Sequence, residues 1–478
     1  MLVALAVATV GCGGTGVRLR DERVGAIDWT RCAEVECGSL SVPLDYRNPT
    51  GSHITLALAR LPAARKRIGV LFTNPGGPGG SGVEFLRAAA QVFPTEIRDS
   101  FDLVSWDPRG VGGSAPVHCL DDLDPFYAVD RNPKNAAGVA RNVSATNAFV
   151  AACEQNSGGL LPFVSTEATV RDLDSIRAAL GERQISFVGF SYGTLIGEMY
   201  ADRFPTHVRA MVLDGVVDPA RSYAQTTLDQ ATSFDDDLSA FFEHCRADSS
   251  CAFARNADPA VAYDDLVHTI RQEPIPATVD GERRTLGPGE LDIGVASALY
   301  AGAGGYDTLA AALAQAGRGS GDRMLALADA YTGRTTGGKY SNETAASFAV
   351  GCIDAPAPPT ITAVQNLATR AARVAPRFGP TTVWLGLPCT RWPAPVVGKV
   401  AEIHAPGAPA IVVVGTTHDP ATPYSWATAV ARQLKSAHLV TVEAASHTSY
   451  GRANQCVDSM VDHYLIDLVA PALGARCT

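Results

Sequence analysis

The chain has 478 residues, of which 46% are hydrophobic and 18% are charged, and its formal net charge is −10 at pH 7. This composition is typical of a globular protein with a substantial core, and the length allows one large catalytic domain with an insertion or two to three smaller domains. The negative charge argues against a nucleic-acid partner. The sequence contains neither a lysine-bearing phosphate loop nor a zinc-type spacing of His and Cys, so we predict no cofactor and no metal.

The N-terminal 30 residues are predicted to be an export signal and a linker. Residues 1–10 form a short apolar run, too brief to span a membrane, which ends at Gly11-Cys12 before a Gly-rich stretch. This pattern is typical of a bacterial lipoprotein signal, in which Cys12 is acylated and anchors the protein to the outer face of the cell membrane. The alternative is a plain secretory signal that is cleaved nearby. Both interpretations predict an exported protein.

The cysteines also indicate export. Without Cys12 there are ten, an even number that lies along the chain in near pairs, as in disulfide-bonded proteins of oxidising compartments. The sequence alone leaves the connectivity open. Pairing in chain order gives Cys32–Cys37, Cys119–Cys153, Cys245–Cys251, Cys352–Cys389 and Cys456–Cys477.

The apolar pattern predicts an α/β fold. Strand-like runs lie at residues 54–61, 68–73, 101–106, 185–188, 208–213, 410–414 and 437–442. Helical patterns between several of them, such as residues 169–180, predict a mostly parallel, doubly wound sheet. We therefore expect a core of residues 31–219 and 393–478, interrupted by a helical lid insertion at residues 220–392. The lid contains helical stretches such as residues 228–242 and 363–374, and we expect it over the carboxyl edge of the sheet.

A glycine-rich loop follows the strand at residues 68–73. Residues 74–82 contain five glycines and two prolines, which can bring bare backbone N–H groups close to a ligand. We predict that Gly77 is a donor to an oxyanion, with Gly76 as the alternative. A flexible linker is disfavoured directly after a buried strand, and a phosphate loop would need a lysine.

A Gly-x-Ser-x-Gly pattern follows the strand at residues 185–188. Gly189-Phe190-Ser191-Tyr192-Gly193 is typical of a sharp strand-to-helix turn, in which the serine hydroxyl projects above the sheet. The pattern predicts Ser191 as a nucleophile and the N–H of Tyr192 as the second oxyanion donor.

The partners of such a serine follow it in the order acid and then histidine. Asp419 lies just beyond the strand at 410–414, and His447 lies in the loop after the strand at 437–442. The alternatives are a turn or helix-cap role for Asp419, and His418 or His463 as the base. We also expect Thr422 to brace the Asp419 loop through a hydroxyl-to-backbone bond.

Four motifs together resemble a known family: residues 74–82, 106–114, 189–194 and 419–423. They resemble the α/β-hydrolase peptidases of the prolyl aminopeptidase type, and most specifically the secreted tripeptidyl aminopeptidases of actinobacteria with their TAP-like C-terminal segment. The resemblance covers residues 30–478. Residues 75–79 stand where prolyl aminopeptidases have His-Gly-Gly-Pro-Gly, and the missing histidine suits the secreted branch. The resemblance implies an α/β-hydrolase fold and metal-free hydrolysis of peptide or amide bonds near a free N-terminus.

Such an activity needs a negative group that holds the substrate α-ammonium. Asp354 in the lid is the candidate, and a solvated surface aspartate is the alternative. We expect Asp107 and Arg109 to form a structural ion pair near the site.

The sequence thus predicts an exported serine aminopeptidase that acts on peptides. An esterase or lipase acting on small esters is the alternative, and a non-catalytic binding protein on the same fold is a remote one.

Overall fold

The structure, a computed structural model, describes residues 27–253 and 257–478. Cys12 and nearly all of the predicted export signal lie outside the described residues. In chain order the strands are β1 (Thr30–Cys32), β2 (Val35–Pro43), β3 (His53–Leu61), β4 (Gly69–Asn74), β5 (Phe101–Trp106), β6 (Ile185–Phe190), β7 (Val208–Asp214), β8 (Ile275–Val279), β9 (Glu282–Leu286), β10 (Arg334–Thr335), β11 (Lys339–Tyr340), β12 (Ile411–His418), β13 (Ala437–Ala445) and β14 (Ala475–Cys477). The helices are α1 (Gly82–Arg87), α2 (Ala89–Val92), α3 (Thr95–Ser100), α4 (Asp124–Tyr127), α5 (Ala136–Ser157), α6 (Thr166–Ala179), α7 (Tyr192–Arg203), α8 (Tyr223–Ala247), α9 (Pro259–Gln272), α10 (Pro288–Leu299), α11 (Tyr306–Ala316), α12 (Asp322–Thr332), α13 (Glu343–Asp354), α14 (Ile361–Val374), α15 (Gly379–Leu385), α16 (Tyr424–Gln433) and α17 (Gln455–Asp467).

Ten strands form one sheet in the order β1-β2-β3-β5-β4-β6-β7-β12-β13-β14. Neighbours from β5 to β14 run parallel, whereas β1, β2 and β3 add an antiparallel edge. The predicted mostly parallel α/β sheet is therefore confirmed. The chain passes from β4 to β5 on one side and returns to β6 on the other, so the strand order reverses at β4 and β6. Sheets of this kind bind ligands at the carboxyl ends of the strands beside such a reversal.

Both faces of the sheet are covered, which explains why its strands are nearly continuous apolar runs. Along β4, Val70 and Phe72 pack into the core on one face, and Leu71 packs into the core on the other. In β6, Phe187 and Val188 alternate in the same way.

The lid leaves the sheet after β7 and returns at β12, and these two strands are parallel neighbours. It comprises helices α8 to α15 and has its own buried core, which includes Leu238, Leu291, Leu313 and Met324. The lid is not purely helical, because β8 pairs with β9 and β10 pairs with β11 in two short antiparallel hairpins. Along the described residues, no helix is both long and apolar enough to cross a membrane.

The ten cysteines of the described part are joined in five disulfides that follow chain order. The pairs are Cys32–Cys37, Cys119–Cys153, Cys245–Cys251, Cys352–Cys389 and Cys456–Cys477. The third and fourth pairs lie within the lid, and the fifth ties α17 to β14.

The expected ion pair between Asp107 and Arg109 is wrong. Arg109 is fully buried and donates through Nε and Nη2 to Asp172 of α6, at 2.7 Å for each contact. Asp107 instead accepts hydrogen bonds from the hydroxyl of Ser81 and the N–H of Gly113. The two side chains therefore have separate partners: the buried guanidinium is paired with the carboxylate of Asp172, and Asp107 is satisfied by hydroxyl and backbone N–H donors.

Candidate active site

Ser191 makes the turn between strand and helix on its own, because β6 ends at Phe190 and α7 begins at Tyr192. Its backbone has φ 55° and ψ −128°, a strained conformation for a residue with a side chain. The surrounding structure holds it there: the N–H of Ser191 donates to the carbonyl of Asp214 in β7 at 2.9 Å, and its own carbonyl accepts from the hydroxyl of Thr194 at 2.7 Å. This is the geometry of a nucleophile elbow.

The two glycines of the motif are required by close backbone approach. A Cβ added to Gly189 would lie 2.5 Å from the carbonyl oxygen of Gly193, and a Cβ on Gly193 would lie 2.6 Å from the carbonyl oxygen of Asn74. No side chain fits at either distance. The glycines therefore let strand β6, helix α7 and the end of β4 meet around Ser191.

Asp419 and His447 form a buried pair at the same edge of the sheet. Asp419 directly follows β12, and His447 lies two residues beyond β13. The Nδ1 atom of His447 lies 2.9 Å from Oδ1 and 3.0 Å from Oδ2 of Asp419. A carboxylate in this place holds the proton on Nδ1, which leaves Nε2 of the imidazole as the acceptor.

Thr422 contacts this pair directly. Its hydroxyl donates to Oδ2 of Asp419 at 2.8 Å and lies 3.3 Å from Nδ1 of His447. The expected hydroxyl-to-backbone bond is therefore wrong. The carboxylate turns back onto its own loop and accepts the N–H groups of Ala421 and Thr422, which brings the Thr422 hydroxyl beside it.

The serine and histidine loops meet at the end of β7. Ser191 donates to the Asp214 carbonyl, and a Cβ added to the next residue, Gly215, would lie 3.4 Å from Cε1 of His447. Within the described residues no hydrogen bond joins Ser191 to His447. Hydrogen bonds between catalytic groups are often long without a substrate, so the arrangement is compatible with proton transfer from Ser191 to His447.

The glycine-rich loop after β4 packs against the elbow. A Cβ on Gly76 would lie 3.0 Å from Cβ of Ser191 and 3.0 Å from the nitrogen of Tyr192. The N–H of Gly76 donates to Oδ1 of Asn74 at 3.0 Å. In contrast, the N–H groups of Gly77 and Tyr192 have no acceptor among residues 27–253 and 257–478. This difference favours Gly77 over Gly76 as an oxyanion donor, and φ of 112° at Gly77 requires a glycine.

The lid covers the histidine loop through Tyr300. The ring of Tyr300 packs edge to face on the His447 imidazole with centroids 5.2 Å apart. The backbone carbonyl of Tyr300 accepts the N–H of His447 at 3.2 Å, and the Tyr300 hydroxyl accepts from the hydroxyl of Tyr331 at 3.3 Å. Tyr300 could not be predicted from the sequence, because it lies in no motif.

Asp354 ends α13 and reaches the elbow through one intermediary. Its carboxylate accepts the N–H of Thr166 at 3.1 Å and also the Thr166 hydroxyl. That hydroxyl also contacts the phenol of Tyr192, the residue after the nucleophile. Burial raises the pKa of Asp354 to about 6. The structure therefore connects Asp354 to the Tyr192 phenol through the Thr166 hydroxyl.

The other two candidate bases lie elsewhere. The side chain of His418 is exposed, and His463 is exposed in α17, where its Nδ1 lies 2.8 Å from Asp467. Neither imidazole is hydrogen-bonded to Asp419 in the described part of the chain. In that part there is also no cluster of three or more His, Cys, Asp or Glu side chains that could hold a metal ion.

A serine in a strained elbow, at the point where a mostly parallel sheet reverses its strand order, is the arrangement of the α/β hydrolases. Residues 69–264 match the family model described as alpha/beta hydrolase fold, and residues 375–477 match the model described as TAP-like protein. The second match begins within the lid and includes both Asp419 and His447.

Curated relatives cover nearly the whole chain. Serine protease Hip1 of Mycobacterium tuberculosis is 37% identical, with 100% of this chain and 96% of the relative covered. Carboxylesterase B of the same species is 37% identical over 94% of this chain and 89% of its own. Tripeptidyl aminopeptidase of Streptomyces coelicolor is 33% identical over 96% and 87%. The chain therefore belongs to the TAP-like family of α/β hydrolases, which confirms the family resemblance of its motifs.

Proposed function

We propose that the protein is a serine aminopeptidase, which cleaves peptide or amide bonds near a free N-terminus. The observation that carries this proposal is the buried Asp419–His447 pair beside Ser191 in its strained elbow. Relatives named serine protease and tripeptidyl aminopeptidase support peptide as the substrate.

The reaction would proceed in two halves through an acyl-enzyme. The Ser191 oxygen attacks the carbonyl carbon while His447 Nε2 takes the hydroxyl proton and Asp419 orients the imidazole. The N–H groups of Gly77 and Tyr192 stabilise the resulting oxyanion. The tetrahedral intermediate collapses, the C–N bond breaks and the imidazolium gives its proton to the leaving amine. A water molecule then repeats the sequence on the ester and releases the N-terminal fragment with a free Ser191.

Two carboxylates are candidates for the partner of the substrate α-ammonium. Asp354 is connected to the Tyr192 phenol through Thr166, but both of its oxygens already accept hydrogen bonds from Thr166. Glu343, at the start of α13, forms no hydrogen bond or ion pair through its carboxylate within the described residues. Its carbonyl oxygen would lie 2.5 Å from a Cβ on Gly79 of the glycine-rich loop, so Glu343 borders that loop. We retain Asp354 as the predicted group and regard Glu343 as its competitor.

Hydrolysis of carboxylic esters is the second candidate function. It is favoured by the relative named carboxylesterase B, which is as similar to this chain as the named protease is. The same triad cleaves both bonds, so the site geometry does not separate them.

A fluorophosphonate probe and a substrate panel test these proposals together. We expect covalent labelling of Ser191 in the wild type and none in Ser191→Ala, as measured by peptide mass spectrometry. We expect a tripeptide anilide with a free amine to be cleaved at least about tenfold faster than its N-acetylated form, because a charge-assisted bond is lost. Equal rates, with faster turnover of a p-nitrophenyl ester, would favour the esterase.

The variants Asp354→Asn and Glu343→Gln then decide between the two carboxylates. The residue that binds the α-ammonium should lose the preference for the free amine when it is changed, and the other should keep it. A preference unchanged in both variants would exclude both assignments.

We also propose that the protein is exported, either as a lipoprotein acylated at Cys12 or in secreted form. The five disulfides and the apolar N-terminal run support this proposal. If Cys12 is acylated, metabolic labelling with an alkyne fatty acid should mark the wild type but not Cys12→Ser. A cytoplasmic location of the wild type would contradict the proposal of export.

A further inference from the structure

Asp214, the last residue of β7, contacts both catalytic loops. Its backbone carbonyl accepts the N–H of Ser191 at 2.9 Å. Its carboxylate oxygen Oδ2 accepts the N–H groups of Ser449 at 2.9 Å and Tyr450 at 2.7 Å, in the loop that carries His447. Asp214 is completely buried, and its other oxygen Oδ1 has no hydrogen-bond partner in the part of the chain described. One residue thus ties the nucleophile elbow to the histidine loop.

The histidine loop needs such a tie, because its backbone is strained next to His447. Thr448 has φ 67°, a left-handed conformation that is unfavourable for a β-branched residue. The two N–H groups that Asp214 accepts directly follow Thr448. Without the carboxylate, both would be buried and unsatisfied, and the turn would relax toward another conformation.

We propose that Asp214 is a positioning residue, which fixes the distance between Ser191 and His447 through these hydrogen bonds. The proposal rests on the proposed function, since it concerns proton transfer from the serine to the histidine. A displacement of about 1 Å between reacting groups can reduce the rate by about 100-fold. Substrate binding by the lid does not depend on this distance.

The role of the hydrogen bonds can be separated from the role of the charge. Asp214→Asn keeps an acceptor of the same shape for the two N–H groups and removes the charge. Asp214→Glu keeps the charge but moves the acceptor by one methylene, and Asp214→Ala removes the acceptor altogether. Asp292→Ala is the matched control, because Asp292 is a buried lid carboxylate that accepts one hydrogen bond, from Thr381.

We expect kcat to fall about 100-fold in Asp214→Ala and at least about tenfold in Asp214→Glu, with KM changed by less than about threefold. Asp214→Asn should retain kcat within about fivefold of the wild type, which a need for charge would not allow. The rate of fluorophosphonate labelling of Ser191 should follow kcat in every variant. Asp292→Ala should lower Tm and leave kcat per folded molecule unchanged.

The proposal is overturned if Asp214→Ala labels at the wild-type rate, or if it and Asp292→Ala lose kcat equally for the same loss of Tm. It is also overturned if Asp214→Asn loses more than about tenfold in kcat, because the two hydrogen bonds are kept in that variant. The last result stands even if Asp214→Ala and Asp214→Glu fail to fold. If the wild type itself is not labelled at Ser191, the proposed function fails instead.

Discussion

The sheet edge and the lid differ in how they contribute to the site. At the sheet edge, Ser191 and Asp419 follow almost fully buried strands and His447 follows a strand with a buried centre. Backbone hydrogen bonds between these strands and their neighbours fix the places of the three residues. Most of the lid packs around its own core, whereas α13 packs into the core of the sheet through residues such as Ala349 and Ile353. The lid also adds side chains such as Tyr300 to the site. The proposed catalytic groups therefore stand at strand ends, whereas the lid residues around them are placed by the packing of helices.

The attachment of the lid differs as well. On one side of the lid, Arg334 lies 2.9 Å and Arg284 of the β8–β9 hairpin lies 3.4 Å from Asp124 of α4, which belongs to the core. Partly exposed ion pairs of this kind contribute about 0–1 kcal/mol each. The sheet, in contrast, is continuous through β14. Changes at the sheet edge should therefore affect the chemistry strongly, and changes in the lid should act more weakly.

Removal of the nucleophile is the largest effect that we expect. Ser191→Ala should reduce kcat on a peptide anilide by a factor on the order of 10⁶, because the acyl-enzyme cannot form. Thermal unfolding should be little changed, since only a partly exposed hydroxyl is lost. Ser425→Ala, an exposed serine on α16, is the matched control and should keep wild-type kcat. Residual activity of Ser191→Ala above a few per cent would place the chemistry elsewhere.

Two glycine substitutions compare the regions directly. Gly189→Ala should lower the free energy of unfolding by about 1–3 kcal/mol and slow the labelling of Ser191, because the new Cβ would lie 2.5 Å from the Gly193 carbonyl. In Gly351→Ala, in lid helix α13, the new Cβ has no atom within 4 Å. This substitution should raise the free energy of unfolding by about 0.5–1 kcal/mol. Urea unfolding followed by circular dichroism measures both. Equal effects at the two sites would contradict the contrast between sheet edge and lid.

The sequence predicted the sheet edge well because strand ends carry local signals. The run at residues 101–106 coincides with β5, and the runs before the glycine-rich loop and the elbow end within two residues of β4 and β6. Each predicted catalytic residue follows such a run. The antiparallel strand β2 was missed, since Leu40 and Val42 alternate with serines instead of forming a continuous apolar run.

The lid contacts could not be predicted, because they depend on packing between distant segments. Tyr300 reaches His447 across 147 positions, and Asp354 reaches Tyr192 through Thr166. The partner of Arg109 was misassigned for the same reason, since Asp172 is far away in sequence. Asp214 carries no motif either, and only the strand order reveals that it lies between the two catalytic loops.

The pH dependence of stability gives a further test within the lid. Burial raises the pKa of Asp292 to about 6 from its usual 3.8, so the folded protein holds this proton more tightly than the unfolded chain does. Its contribution to stability is therefore complete below pH 3.8 and is lost as the pH rises through about 6. Asp292→Asn should remove about 1–3 kcal/mol of that decline, given about 1.4 kcal/mol per pKa unit. Urea unfolding at pH 4 and pH 7.5 measures the decline in the free energy of unfolding. An identical decline in the wild type and in Asp292→Asn would contradict this assignment.

The smallest effect should come from the lid ring that covers His447. Tyr300→Leu removes the edge-to-face contact with the imidazole, which is worth about 0.5–1.5 kcal/mol, so kcat/KM should fall about two- to tenfold. Tyr300→Phe keeps the ring and loses only the contact with the Tyr331 hydroxyl, and it should stay within about twofold of the wild type. If Tyr300→Phe is as impaired as Tyr300→Leu, the hydroxyl is the functional group. If Tyr300→Leu loses as much activity as Ser191→Ala, the lid belongs to the chemistry of the site and the division between the two regions fails.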